Sequence, residues 1–173
     1  MHATDSAERM RLAALTLLVL SLSASAATGA ANVPGSLEIE GARGVIQITG
    51  KGALIGRIER GSLEIIDLTP GDQWSPRVNG IPRGKTVWLR GKKVSFFIPG
   101  GKYRIVARGN DISISARGTG MAVLDGDPDS VGETGLYAVG DSSLAPLPVE
   151  TTKASFGAWD PGASSSQSAK IQP

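Results

Sequence analysis

Leu37-Glu-Ile-Glu-Gly-Ala-Arg-Gly-Val-Ile-Gln-Ile-Thr-Gly-Lys-Gly-Ala-Leu-Ile-Gly56 is the stretch that decides the fold. Leu37 and Ile39 flank Glu38, and Ile46 and Ile48 flank Gln47. A two-residue period sends apolar side chains to one face of a strand and polar ones to the other. Gly50-Lys-Gly52 offers the positive φ that a tight hairpin turn needs.

The same alternation recurs at Leu63 and Ile65, at Val94, Phe96 and Ile98, at Tyr103 and Ile105, at Ile112 and Ile114, and at Leu136 and Ala138. No window after residue 30 keeps apolar residues at helical spacing for three turns. The spacing predicts about nine or ten short strands between Ser36 and Gly140. Arg90-Gly-Lys92, Pro99-Gly-Gly101 and Gly109-Asn-Asp111 read as further turns. One wet face and one dry face per strand predicts antiparallel pairing, in a single β-sandwich or flattened barrel. Thr69 to Lys85 holds three prolines, three glycines and Trp74, and reads as a long loop. From Asp141 the hydrophobic periodicity stops and Pro146, Pro148, Pro161 and Gly162-Ala-Ser-Ser-Ser-Gln-Ser follow, so residues 141–173 are expected to form a disordered tail.

The amino terminus has the order of a secretion signal. Arg9 and Arg11 precede the uncharged run Leu12 to Leu22, and Ala24-Ser-Ala26 supplies a small-x-small cleavage site. The expected division is a signal peptide at 1–26, a linker at 27–35, a β domain at 36–140 and the tail. The alternative is an amino-terminal membrane anchor, since Leu12 to Ala31 carries no charge. The chain has no cysteine, so an exported domain would hold together by its core alone. Cleavage would leave 147 of 173 residues, enough to bury such a core.

Two segments look alike. Leu37-Glu-Ile39 to Ile46-Gln-Ile48 matches Tyr103-Arg-Ile105 to Ile112-Ser-Ile114 in spacing, and Gly50-Lys-Gly52 matches Gly118-Thr-Gly120. The side chains outside the apolar positions differ, which favours chance likeness over duplication.

The signal segment, the glycine-punctuated strands and the run Phe97-Ile-Pro-Gly-Gly-Lys-Tyr-Arg-Ile105 together resemble uncharacterised secreted β-proteins of high-GC bacteria, over Ser36 to Gly140. The resemblance implies the same all-β fold and brings no catalytic residue with it.

The only histidine is His2, ahead of the expected cleavage site. A mature chain without imidazole or thiol cannot build a serine–histidine–carboxylate triad, a cysteine nucleophile or a zinc site on those ligands. No phosphate-binding glycine–lysine loop is present. A carboxylate pair remains open to Glu38, Glu40, Glu59, Glu64 and Asp67, but the alternation turns Glu38 and Glu64 to solvent. Asp125, Asp127, Asp129 and Glu133 offer oxygen ligands suited to calcium. The same residues also suit a hydrophilic turn.

Charge is distributed unevenly. Arg77, Arg83, Lys85, Arg90, Lys92, Lys93, Lys102, Arg104, Arg108 and Arg117 stand against one acid, Asp111, although the whole chain is at +2. A basic surface draws polyanions by long-range attraction. Arg83, Lys85, Arg90, Lys92, Lys93 and Trp74 are the candidate contacts. Nucleic acid is disfavoured because few aromatics accompany the cations. Trp74 reads better as a lid over the end of the fold than as a stacking platform.

The sequence therefore predicts an exported, non-enzymatic interaction or structural module at the cell envelope. Its partner would be an envelope polymer or another protein. The alternatives are a calcium-assisted adhesive module and a glycan-active enzyme with paired carboxylates.

Overall fold

The computed structural model describes residues 34–69, 71–72, 74–130 and 133–158. The expected signal peptide, or anchor, lies outside the described residues, as do the linker up to residue 33 and the last fifteen positions of the tail. No helix is present among the described residues, and so none is long and apolar enough to cross a membrane. The strands are β1 (Gly35–Asp67), β2 (Arg77–Val78), β3 (Ile81–Pro82), β4 (Thr86–Ile98), β5 (Lys102–Gly126), β6 (Leu136–Val139), β7 (Ala145–Pro146) and β8 (Thr152–Phe156). They form one antiparallel sheet in the order β3-β2-β4-β1-β5-β8, with β6 on β1 and β7 on β6.

Two of these strands are far longer than the sequence suggested. β1 has 33 residues and β5 has 25. The glycine clusters at 50–52, 90–92 and 109–111 read as turns, yet strand runs through each of them. Only Pro99-Gly-Gly101 is a break between strands. The reason lies in what faces each glycine. β1 pairs with β5 in two registers, so that Gly44 faces both Gly109 and Gly126, seventeen positions apart. Gly52 faces Gly118, and Gly61 faces both Gly91 and Gly109. At these crossings the backbones come too close for a side chain. A Cβ on Gly52 would meet the Arg117 carbonyl, and one on Gly118 would meet that of Lys51. Both residues also hold positive φ, 135° and 141°, which L side chains avoid. Glycine here lets a strand continue through a tight crossing rather than end in a hairpin.

The double register also bears on the two similar segments. Buried positions in β1 recur 66 residues later in β5: Leu37 and Tyr103, Ile39 and Ile105, Ile46 and Ile112, Ile48 and Ile114, Ile58 and Leu124. The two segments lie against each other along their whole length and share one inward pattern. The expected chance likeness is therefore accompanied by direct pairing of the two segments.

The inward side chains, together with Val87, Val94, Phe96, Ile98, Leu147 and Phe156, make a single apolar cluster. Leu147 and Phe156 correct the expected tail. Strand structure continues past Gly140, because β8 pairs with β5 from Gly120 to Leu124 and β7 pairs with β6. Two buried apolar anchors suffice for this, too few to show as periodicity. The long loop at 69–85 also contains structure. Asn79-Gly80, at φ 50° and 76°, turns β2 into β3 as a two-residue hairpin that docks on β4 and buries Val78.

Candidate functional site

Of the four acids proposed for calcium, Asp127 and Glu133 have side-chain partners within the protein. Asp125 sits on β5 opposite Val45. Asp127 begins the turn after β5, and its carboxylate accepts from the Asp129 N–H (3.1 Å) and the Ser130 hydroxyl (3.1 Å). Glu133 lies 3.6 Å from Arg43, both largely exposed. Among the described residues no three acidic, histidine or cysteine side chains are placed to hold a metal. The turn geometry that aspartate favours accounts for Asp127 and Asp129.

The six residues proposed for a polyanion separate into two places. Trp74 lies at the turn between β4 and β5, its ring beside Gly100 at 3.6 Å from a Cβ position there. Its backbone N–H donates to Asp72 (3.1 Å), and Asp72 in turn accepts from the Thr69 hydroxyl (2.9 Å). Trp74 is 45 % exposed, so its ring covers this turn only in part. Lys92 and Lys93 are seven to eight residues away along β4, roughly 25 Å in extended chain, so Trp74 does not share a surface with them. Arg83 and Lys85 are exposed in the connection leading into β4.

Arg90 and Lys92 do acquire neighbours, and these come from other strands. Arg90 and Arg108 flank Ser62 in one row across β4, β1 and β5. Gly91, Gly61 and Gly109 form the next row, and Lys92, Arg60 and Asn110 the one after. Arg60, Arg90, Lys92 and Arg108 are all exposed and surround a strip of bare backbone. Strands lie about 4.8 Å apart, so Arg90 and Arg108 stand roughly 10 Å from each other. Arg43–Glu133 is the one ion pair among the described residues, so none of these four has a carboxylate within ion-pair distance, although Glu64 lies one same-face row along from Arg90 and Arg108. Lys93 takes a left-handed φ of 53° beside them.

Two residues gain weight that sequence reasoning did not give them. Trp88 is 67 % exposed on β4, opposite Glu64 and two residues from Arg90. The signal was available, since Val87 and Leu89 occupy inward positions and send Trp88 outward. Arg60 was missed because it lies outside the basic stretch and joins it only through the register.

Arg104, exposed and four residues from Arg108, lies on the same face of β5 in the row of Ile66 and Thr86, whereas other basic residues scatter. Arg117 faces Ser36 and Ala53, Arg77 faces Phe97, and Lys102 faces Lys51. The ten cations therefore do not share one face.

Shallow grooves lie elsewhere on the surface. One of about 720 Å³ holds Glu38, Glu40, Arg57, Ser113 and Ser115 beside Ile55. Glu38 accepts from the Ser115 hydroxyl at 2.7 Å. Inside the fold, Thr119 is the one buried polar residue among the described residues, and Tyr103 has a hydroxyl without a partner. Burial pushes the Tyr103 phenol well above its ordinary pKa. Comparison with known proteins finds no matching family model, no matching curated protein and no matching solved structure.

Proposed function

We propose that this chain is an exported, non-enzymatic interaction module that holds an anionic partner at the cell envelope. The observation that carries the reading is the group Arg60, Arg90, Lys92 and Arg108, exposed around the glycine row without a carboxylate partner. Several unpaired cations on adjacent strands produce a local field that attracts anions and weakens with salt. The non-enzymatic part is supported by the mature chain's lack of imidazole and thiol and by an interior built almost wholly from hydrocarbon. Export is supported by the charged start, apolar run and small-residue site of the first 26 residues.

The same reading includes a two-layered body. Residues 35–43, 110–118, 52–60 and 92–98 lie side by side, and so do 119–126, 44–51, 102–109, 61–67 and 86–90. The strands would pass from one layer to the other at the glycine crossings, which makes a sandwich with shared strands.

Retention on a heparin column, used as a model polyanion, tests the binding claim. Arg90→Glu with Arg108→Glu should elute at clearly lower salt than the parent. Lys51→Glu with Lys102→Glu changes net charge equally at a distant pair and should elute near the parent. Equal loss in both double variants would mean that only net charge matters and would refute the site.

A further inference from the structure

From Thr86 to Val94, β4 has a neighbour on one side only among the described residues. β1 pairs along its full length, whereas β2 reaches its other side only at Phe96 and Phe97. Asn79 extends that cover to Ser95, whose N–H and carbonyl it engages at 2.9 and 2.8 Å. Below Ser95 the edge is open.

The direction of its backbone groups follows from one hydrogen bond. The Lys85 carbonyl accepts from the Asp67 N–H of β1 at 2.7 Å. Successive residues of an antiparallel strand point their N–H and C=O groups to alternate sides. Thr86, Trp88 and Arg90 therefore turn theirs away from β1, toward the open edge. A row of unpaired backbone groups is a template for another strand. Proteins usually blunt such edges with lysines and kinks, and Lys92, Lys93 and the left-handed turn at Lys93 do so here. Those charges disfavour a second copy of this chain, whose own basic stretch from Arg83 to Lys93 would lie alongside. They favour a strand of opposite charge. Trp88, 67 % exposed at the centre of the edge, adds an apolar contact that a purely ionic surface would not need.

We propose that the free edge of β4, Thr86 to Lys92, accepts an acidic, extended segment of a partner protein as an added strand. Carboxylates of that segment face Arg90 and Lys92, and an apolar side chain covers Trp88. Backbone hydrogen bonds supply pairing and the alternate side chains supply selectivity, as in other cases of strand addition. The inference rests on the proposed anionic partner and names its class as polypeptide rather than polysaccharide or polyphosphate.

The test uses the full chain and a short fluorescent peptide of alternating glutamate and valine. A second peptide of the same sequence carries N-methyl groups on alternate residues, which removes donors without altering charge. The parent protein should bind the first peptide about tenfold more tightly than the second, the change expected from losing one or two net hydrogen bonds. Thr86→Pro, which removes an edge donor and leaves charge intact, should weaken peptide binding while heparin retention stays at the parent level. Equal binding of the two peptides overturns the inference and requires no variant to fold. So does failure of the parent to bind the unmodified peptide while heparin retention persists; that result leaves an anionic polymer as the partner. Loss of heparin retention by the parent would instead refute the anionic partner itself.

Discussion

β1 and β5 bury many equivalent positions, 66 residues apart, and fill them differently. Leu54 of β1 occupies its place with its own side chain. Its counterpart Gly120 leaves a gap, and the ring of Phe156 from β8 enters it, 2.6 Å from where a Cβ would stand. The reverse holds two residues on. Ala122 of β5 fills its own place, while its counterpart Gly56 receives the Phe96 ring from β4. Leu37 of β1 corresponds to Tyr103 of β5, which carries into the core a hydroxyl that nothing accepts. The ladder thus fixes which positions point inward, and the flanking strand decides how the volume is made up. Close packing demands the total volume and tolerates different contributors.

The comparison breaks most severely at a crossing. Gly118→Val sets a branched side chain against the Lys51 carbonyl at a φ of 141°. We expect a loss above about 4 kcal/mol, which would leave little folded protein. Urea denaturation with an unchanged midpoint would show that the crossing is not tight.

Phe156→Ala and Phe96→Ala should each cost about 3–5 kcal/mol, because each ring fills a gap left by a glycine. The comparison sharpens in the double variant Gly56→Ala with Phe96→Ala, which gives β1 the solution that β5 uses at Ala122, since the atoms nearest a Cβ on Gly56 are those of the Phe96 ring. It should recover part of the Phe96→Ala loss in thermal melts. A double variant less stable than Phe96→Ala alone would show that the ring does not simply fill the gap left by the glycine.

Tyr103→Phe should raise stability by about 1 kcal/mol, since an unpartnered buried hydroxyl is removed. It should also change the alkaline limb. Burial holds the folded phenol neutral above its ordinary value of 10.0, while the unfolded chain ionises there. The associated stability is complete below about pH 10 and falls as pH rises further. Parallel loss in parent and Tyr103→Phe between pH 9 and 11 would rule out Tyr103 as the source. The smallest effect belongs to Arg43→Ala, within about 0.5 kcal/mol, because its pairing with Glu133 is exposed.

Strand character and the inward residues were legible at Leu37, Ile39, Ile46, Ile48, Tyr103, Ile105, Ile112 and Ile114, since alternation is a local property of strands. The length of β1 and β5 was not. A glycine that opens a hairpin and a glycine that faces another glycine across a crossing have the same sequence, and only partners some 30 to 80 residues away distinguish them. The site divided in the same manner. Arg90 and Lys92 could be named from the basic stretch. Arg60 could not, because it meets Lys92 through the register alone. Trp74 and the basic stretch read as neighbours because both lie between residues 74 and 93, although β4 carries them apart. The acids from Asp125 to Glu133 have a composition common to cation loops and to plain turns, and the hydrogen bonds of Asp127 belong to the turn.

The interlocking of β1 with β5 has a consequence for biosynthesis. Gly35 finds its ladder partner at Gly118, and Gly44 needs both Gly109 and Gly126. During translation the first of these long strands waits, with nothing to hydrogen-bond on that side, until nearly all of the second has emerged. Contacts this distant in sequence slow condensation. A nascent polypeptide of this design reaches its final shape only once nearly the whole of β5 has been made.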